Sequence, residues 1–340
     1  MVRAVTTRVG IALGVCVSTV SAQAPPVGVV DFYGLHRVSA QQARDALGIA
    51  PGDTLSALLL ATATVRVGAL PGVVNARLEP VCCDDGRTIL YVGLEEEGAP
   101  VLQFRSAPTG TVRLPDDVLK AGEAFGAAFD SALAHQDFAE DDTAGHQLMH
   151  YPPARAVEEG FMTLAARHAN RLRDVLRHSS DADQRALAVQ ILAYAADKRA
   201  VIGDLVYGMN DPDAIVRNNA MRALALIAGL GQRRPELHLI VPFAPFVDLL
   251  NSPIWTDRNK ASFALFALTA ARDSTLLTLL RQRALPALVE MARWKVPGHA
   301  GAAWVILGRL GGMSEQEIQD AWSRGDRERF LHAAGVSGGG

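Results

Sequence analysis

The sequence predicts an α+β module of order β-α-α-β-β at the amino terminus, followed by an all-α superhelical solenoid of stacked helical hairpins. Three observations lead there. Residues 28–97 switch between the two-residue alternation of strands and the three-to-four-residue spacing of helices. Strand signals fade beyond Pro100. One capped amphipathic stretch, DPDAIVRNNAMRALALIA at 211–228, recurs in outline along the rest of the chain. With 340 residues, 49% of them apolar and 20% charged, the chain has material for more than one core and is not of disordered composition.

The opening stretch, MVRAVTTRVGIALGVCVSTVSAQAPP, carries Arg3 and Arg8, then an apolar run from Val9 to Val20, then Ser21 and Ala22 before Gln23. Basic, apolar and small residues in that order predict a secretory signal peptide, residues 1–22, cut near Ala22. The run is short of the ~20 residues that span a bilayer. A lipid-modified Cys16 is the alternative, which the bulky Val15 before it opposes. The mature chain is therefore expected in the periplasm or cell envelope without a membrane span, although association with a membrane complex stays open. Formal net charge is −3, and losing Arg3 and Arg8 makes it more negative. Such a chain has no basic footprint for nucleic acid.

Cleavage would leave Cys82 and Cys83. Adjacent sulfurs suit neither a disulfide framework nor a zinc site, which need several spaced cysteines. Neighbouring Cα atoms lie ~3.8 Å apart, closer than a relaxed disulfide wants. The expectation is a strand with the two side chains on opposite faces; a vicinal or intermolecular disulfide is the alternative.

In the module, GVVDFYG reads as a strand closed by Gly34. HRVSAQQARDALGI follows as a short helix, with Ser39 and Gln42 at capping-box spacing. PGDTLSALLLATATVRVGAL supplies a turn and a second helix. VVNARLEPVCC and RTILYVGLEE flank Asp84-Asp85-Gly86 as a β-hairpin. The run GLHRVSAQQARDALGIAPGDTLS, with LPGVVNARLEP and a strand ending in LEEEG, resembles the polypeptide-transport-associated (POTRA) domain over residues 28–97. That resemblance implies a sheet edge or helix groove that receives an extended peptide by strand addition.

Residues 98–153 are expected to form a hinge, with Pro100, Pro108 and Pro115, and a helical connector in which Phe125, Phe129 and Leu133 recur every four residues. Pro152-Pro153 then introduces a long helix. Sliding the 211–228 stretch by 41 residues sets Ala220 on Ala261, and a second such step reaches Ala302; a step of 32 backwards reaches Ala188. The same shifts align Leu192, Leu224, Leu265 and Ile306, and align Arg185, Arg217, Arg258 and His299. A small residue followed one turn later by a large aliphatic lets a helix lie close to its neighbour and fill the gap beyond. Second helices are expected at KRAVIGDLVYGM, PFAPFVDLLN, LPALVEMARW (opened by Pro286) and SEQEIQDAW (capped by Ser314 and Glu317). Asp211 is expected as N-cap, with Pro212 and Asp213 in the first turn. On these stretches residues 154–334 resemble the HEAT family of α-solenoids, which shares no enzymatic activity and scaffolds other proteins. Residues 335–340 read as a flexible Gly-rich tail.

Near the helix starts Arg185, Arg217 and Arg258 are accompanied by Asp183, Asp213 and Asp257, which predicts a structural Asp-Arg ladder between repeats. Asn218, Asn219 and Arg222 are the exposed-face candidates for binding. In FAEDDTAGHQLMH, His146 and His150 stand one helical turn apart beside Asp141 and Asp142, a spacing at which two imidazoles ligate one metal. No Glu follows His146 to act as base. GVSGG near the end matches a hydrolase string without the strand that string requires. No phosphate-cradling loop appears and no cofactor is expected. The function expected is a non-catalytic scaffold binding proteins or peptides through the solenoid surface and the module's sheet edge; the alternative is a metal-assisted hydrolase or lyase using His146 and His150.

Overall fold

The computed structural model describes residues 25–137 and 139–336; the expected signal peptide and most of the expected tail lie outside them. The amino-terminal order is β-α-α-β-β, as expected: β1 Val27–Tyr33, α1 Ala40–Leu47, α2 Ala57–Gly68, β2 Val73–Asp84 and β3 Arg87–Glu96. Strand β3 lies in the middle of the sheet, parallel to β1 and antiparallel to β2. Between β2 and β3, Asp85 and Gly86 both adopt positive φ, 48° and 70°, which a two-residue hairpin turn demands. Ser39 and Gln42 form the expected capping box on α1. Cys82 is disulfide-bonded, so the expectation of a packed or exposed free thiol there is not met.

Alternation along β3 divides the sheet into two buried faces. Leu90, Val92 and Leu94 pack with Ala43, Leu47, Ala63 and Val67 of α1 and α2. Ile89 and Tyr91, with Tyr33 of β1, turn the other way and join the core of the helical region. Gly93 pairs with Tyr33 across the sheet, and a Cβ there would lie 2.5 Å from the tyrosine ring, so only glycine lets that ring lie over the strand.

After a stretch without helix or strand at 98–115, the regular elements of the described chain are helices apart from one small hairpin. Helix α3, Asp116–His135, precedes β4 Glu140–Asp141 and β5 Leu148–Met149. Then follow α4 Pro152–His178, α5 Ala182–Leu192, α6 Arg199–Gly208, α7 Ala214–Arg233, α8 Ala244–Leu249 and α9 Trp255–Leu268. The last five are α10 Ser274–Arg283, α11 Leu285–Ala292, α12 Pro297–Leu310, α13 Glu315–Ser323 and α14 Arg327–Ala333. Helices α4, α5, α7, α9 and α12 pack one on the next, with α6 against α7, α8 against α9 and α11 against α12. No described helix is long and apolar enough to cross a membrane. Helices α10 and α14 were not expected from the sequence.

The aligned alanine and aliphatic columns are buried throughout: Ala188, Ala220 and Ala261, with Leu192, Leu224, Leu265 and Ile306, lie within one continuous core, whereas Ala302 is buried outside it, Ala300 and Ala303 taking its place in α12. The arginines repeat in detail. Arg185, Arg217 and Arg258 each donate to the carbonyl six residues back, of Ser179, Asp211 and Ser252, at 2.9, 2.8 and 2.6 Å. Each also reaches forward to an acid of a later element: Arg185 bidentately to Asp211, Arg217 bidentately to Asp257, and Arg258 to Glu290 of α11. Two details differ from expectation. Asp213, not Asp211, is the N-cap of α7, bonding the Ile215 and Val216 amides, so it is unavailable to Arg217. Asp183 takes no part in the ladder, whose first acid is Asp211.

The stretch expected as a hinge is laid across these helix starts. The Arg105 amide donates to Asn210 O at 3.0 Å, and its guanidinium pairs with Asp211. The Phe104 ring sits 3.9 Å from the Arg217 guanidinium carbon, Gly110 bridges Ser179, and the Leu114 amide bonds Gln184 at 2.8 Å. Successive anchors of this kind make it a strap.

Candidate binding groove

On α7 the buried positions Arg217, Ala220 and Leu224 leave Ile215, Asn218, Arg222 and Leu226 on the outer side; on α9, Arg258, Ala261 and Leu265 leave Lys260, Phe263 and Phe266. The outer sides line three clefts. The first, about 470 Å³, lies between α3, the β4–β5 hairpin, α5 and α7 and is walled by Phe125, Phe129, His146, Tyr194, Ile215 and Arg222. The second, about 350 Å³, lies between the hairpin, α7 and α9, with Lys260, Phe263 and Phe266 on its wall. The third, about 470 Å³, is formed with α12 and α13 by Val305, Arg309, Ile318 and Trp322. Glu140, Arg222 and Leu226 belong to both the first and second, and Phe266 to both the second and third, so the clefts form one groove. Phe129, Ile215, Phe263, Phe266 and Trp322 are 40, 57, 43, 43 and 39% exposed along it. A run of large apolar side chains left in water marks an interaction surface.

The hairpin forms one wall and is fixed by buried polar groups. Glu158 of α4 is fully buried and accepts from Gln147 Nε2 at 2.9 Å, the Met149 amide at 2.6 Å and Tyr194 OH at 2.9 Å. Burial pushes its carboxyl above the usual range. Lys198 donates to His146 Nδ1 at 2.8 Å and to Ala193 O at 2.7 Å. Burial, and then the Lys198 charge, hold the imidazole down to about 4; burial also lowers Lys198 to about 8.

Of the residues singled out from sequence, Asn218, Asn219, Arg222 and His146 are brought together on the first cleft. They are half-buried or buried, and all are engaged. Asn219 donates to Ala186 O, Asn218 accepts from Thr256, and Arg222 binds Gln147 and Glu140. His146 and His150 do not share a helix. They lie on the hairpin segment, His146 buried against Lys198 and His150 exposed, so the expected helical-turn spacing is corrected. Among the described residues no group of three or more His, Cys, Asp or Glu side chains is placed to hold a metal ion. Lys260, Phe263, Phe266 and Trp322 were missed, although the column register already placed the first three opposite the buried face of α9.

The two outer strands of the sheet differ. Lys295 Nζ donates to Val30 O at 2.7 Å along β1, whose first residue is also bonded to Gly52 and Asp53. Strand β2 at the other edge carries Pro80, which has no amide to offer. Compared with known families and with curated proteins, the chain matches no family and no individual protein.

Proposed function

We propose that this chain is an exported, non-catalytic adaptor in which a HEAT-like α-solenoid presents the groove to segments of other proteins, while the POTRA-like module serves as a docking unit beside it. The observation that carries the reading is the file of exposed apolar side chains, Phe129 to Trp322, contributed by α3, α7, α9 and α13. Stacked hairpins bury one face against each other and leave an extended surface for recognition. Support for the repeat reading comes from the six-residue back-bonds shared by Arg185, Arg217 and Arg258, the first two through Nη1 and the third through Nε. Of the sheet's edges, β2 is the one left for strand addition, and Pro80 limits it, so the groove is the principal site.

The test is selection of a displayed random-peptide library on the mature chain. Aromatic and aliphatic peptides should be recovered by the wild type and lost by the Phe263→Ala, Phe266→Ala double variant, with melting unchanged. Equal binding by that variant would refute the groove. Export is tested separately by fractionation and amino-terminal sequencing, with Gln23 expected as the first residue.

A further inference from the structure

The acids of the groove's middle cleft are already taken. Arg222 holds Glu140 through Nη2, and Arg233 donates to Asp142 O at 3.1 Å with its carboxylate at 3.8 Å. The third cation of that cleft, Lys260, is half-buried on α9, and among the described residues no hydrogen bond or ion pair reaches its ammonium. Its surroundings give it nothing to bond: Phe263 lies one turn along, Leu226, Ala225 and Gly229 lie across on α7, and Arg222 repels it. Beyond it, His299 is occupied at Nδ1 by Tyr91 OH, at 2.7 Å. Partial burial of the ammonium lowers its pKa to about 8, with the Arg222 charge acting the same way and Glu140 opposing. A half-buried amine with no anion of its own beside two half-exposed phenyl rings is short of one negative charge.

We propose that Lys260 anchors a single carboxylate of a bound peptide, an aspartate or glutamate flanked by aromatic or branched aliphatic residues that pack on Phe263 and Phe266. The proposal rests on the reading of the groove as a peptide site. Charge selects the occupant. One unpaired ammonium in the cleft that also holds the paired acids Glu140 and Asp142 complements one carboxylate, while the net charge of −3 on the chain disfavours a polyphosphate or an anionic lipid surface. The continuity of the groove across α7, α9 and α12 suits an extended segment more than a small acid.

The probes are two fluorescein-labelled peptide pools with a fixed Leu-Phe-Glu-Phe core and random flanks, identical except that Gln replaces Glu in the second. Fluorescence anisotropy with the mature chain should show the Glu pool binding about tenfold tighter than the Gln pool, the scale of a charge-assisted bond in a desolvated site. Lys260→Met keeps the apolar stem and should bring that ratio to about one without changing the melting temperature. Phe263→Ala should weaken both pools alike and leave the ratio standing. Equal binding of both pools to the wild type, or an unchanged ratio in Lys260→Met, overturns the carboxylate anchor while leaving the groove intact. Binding of neither pool overturns both. Self-association of the chain abolished by Lys260→Met would put a second copy in the groove and likewise overturn the proposal.

Discussion

Replacing Arg217 by alanine should remove a large part of the stability of the helical region. The guanidinium is fully buried and makes four hydrogen bonds: 3.0 and 2.9 Å to Asp257, 2.8 Å to Asp211 O and 2.9 Å to Pro212 O. Without it, Asp257, also fully buried, keeps among the described residues only the Ser252 hydroxyl at 2.7 Å. Breaking a buried pair on one side costs about 3–5 kcal/mol, because the stranded charge has no water to turn to. Domain stabilities are themselves about 5–15 kcal/mol. Urea denaturation followed by far-ultraviolet circular dichroism should therefore show the unfolding free energy reduced by that amount, with the midpoint lowered accordingly. Arg155→Ala, which breaks the exposed pair with Glu159, should stay within about 0.5 kcal/mol of wild type. Joint replacement of Arg217 by Met and Asp257 by Leu should recover more than half the loss, since no lone charge is then buried. An Arg217→Ala protein within about 1 kcal/mol of wild type would show that the ladder does not hold neighbouring helices together. So would loss of peptide binding with unchanged melting.

Two further outcomes are expected. His146 is held at about 4 in the folded hairpin, first by burial and then by Lys198, and returns to about 6.5 on unfolding. The unfolded segment thus takes up a proton that the folded one refuses: the stability is complete above about pH 6.5 and declines toward pH 4, by up to about 3 kcal/mol. Corrected for the intrinsic pH dependence of exchange, amide protection across residues 140–149 should fall over that window, and His146→Asn should flatten the profile; wild-type protection factors independent of pH would refute the assignment. Gly34→Ala places a Cβ 2.0 Å from Leu94 O at φ +77° and should cost roughly 3 kcal/mol in thermal denaturation. Gly52→Ala, at φ +101° but with open space around it, should cost only about 1 kcal/mol.

The amino-terminal module was legible because its signals are local. Alternation marks the strands, Asp85-Gly86 marks the turn, and Ser39 with Gln42 marks the start of α1. The arginine column was legible for the same reason, but its partners were not. Whether Asp211 or Asp213 faces an arginine depends on which of them caps α7, a choice of two residues that composition does not make. His146 and His150 were misread because a four-residue interval on a helix is also a short interval within a hairpin, and only the pairing of Asp141 with Leu148 decides between them. The groove was half legible. The columns show which sides of α7 and α9 are inward, whereas the exposure of Phe263 and Trp322 depends on where the hairpin and α13 come to rest. The anchoring of the strap left no trace in the sequence, since Phe104 and Arg105 acquire their meaning from helices about a hundred positions later.

The β-sheet does not rest on α4, the first long helix after the connector; Tyr33 and Tyr91 meet Trp255, Trp294 and His299 near the far end of the chain. Glu290 closes that seam by accepting from the amides of Gly34 and Leu35. A growing polypeptide therefore carries a finished but half-covered sheet through the synthesis of some two hundred residues, its tyrosine face wet until α9, α11 and α12 arrive. Conversely, a fragment beginning at residue 154 would leave those tryptophans bare and should clump, so any dissection of this chain has to keep its first and last parts together.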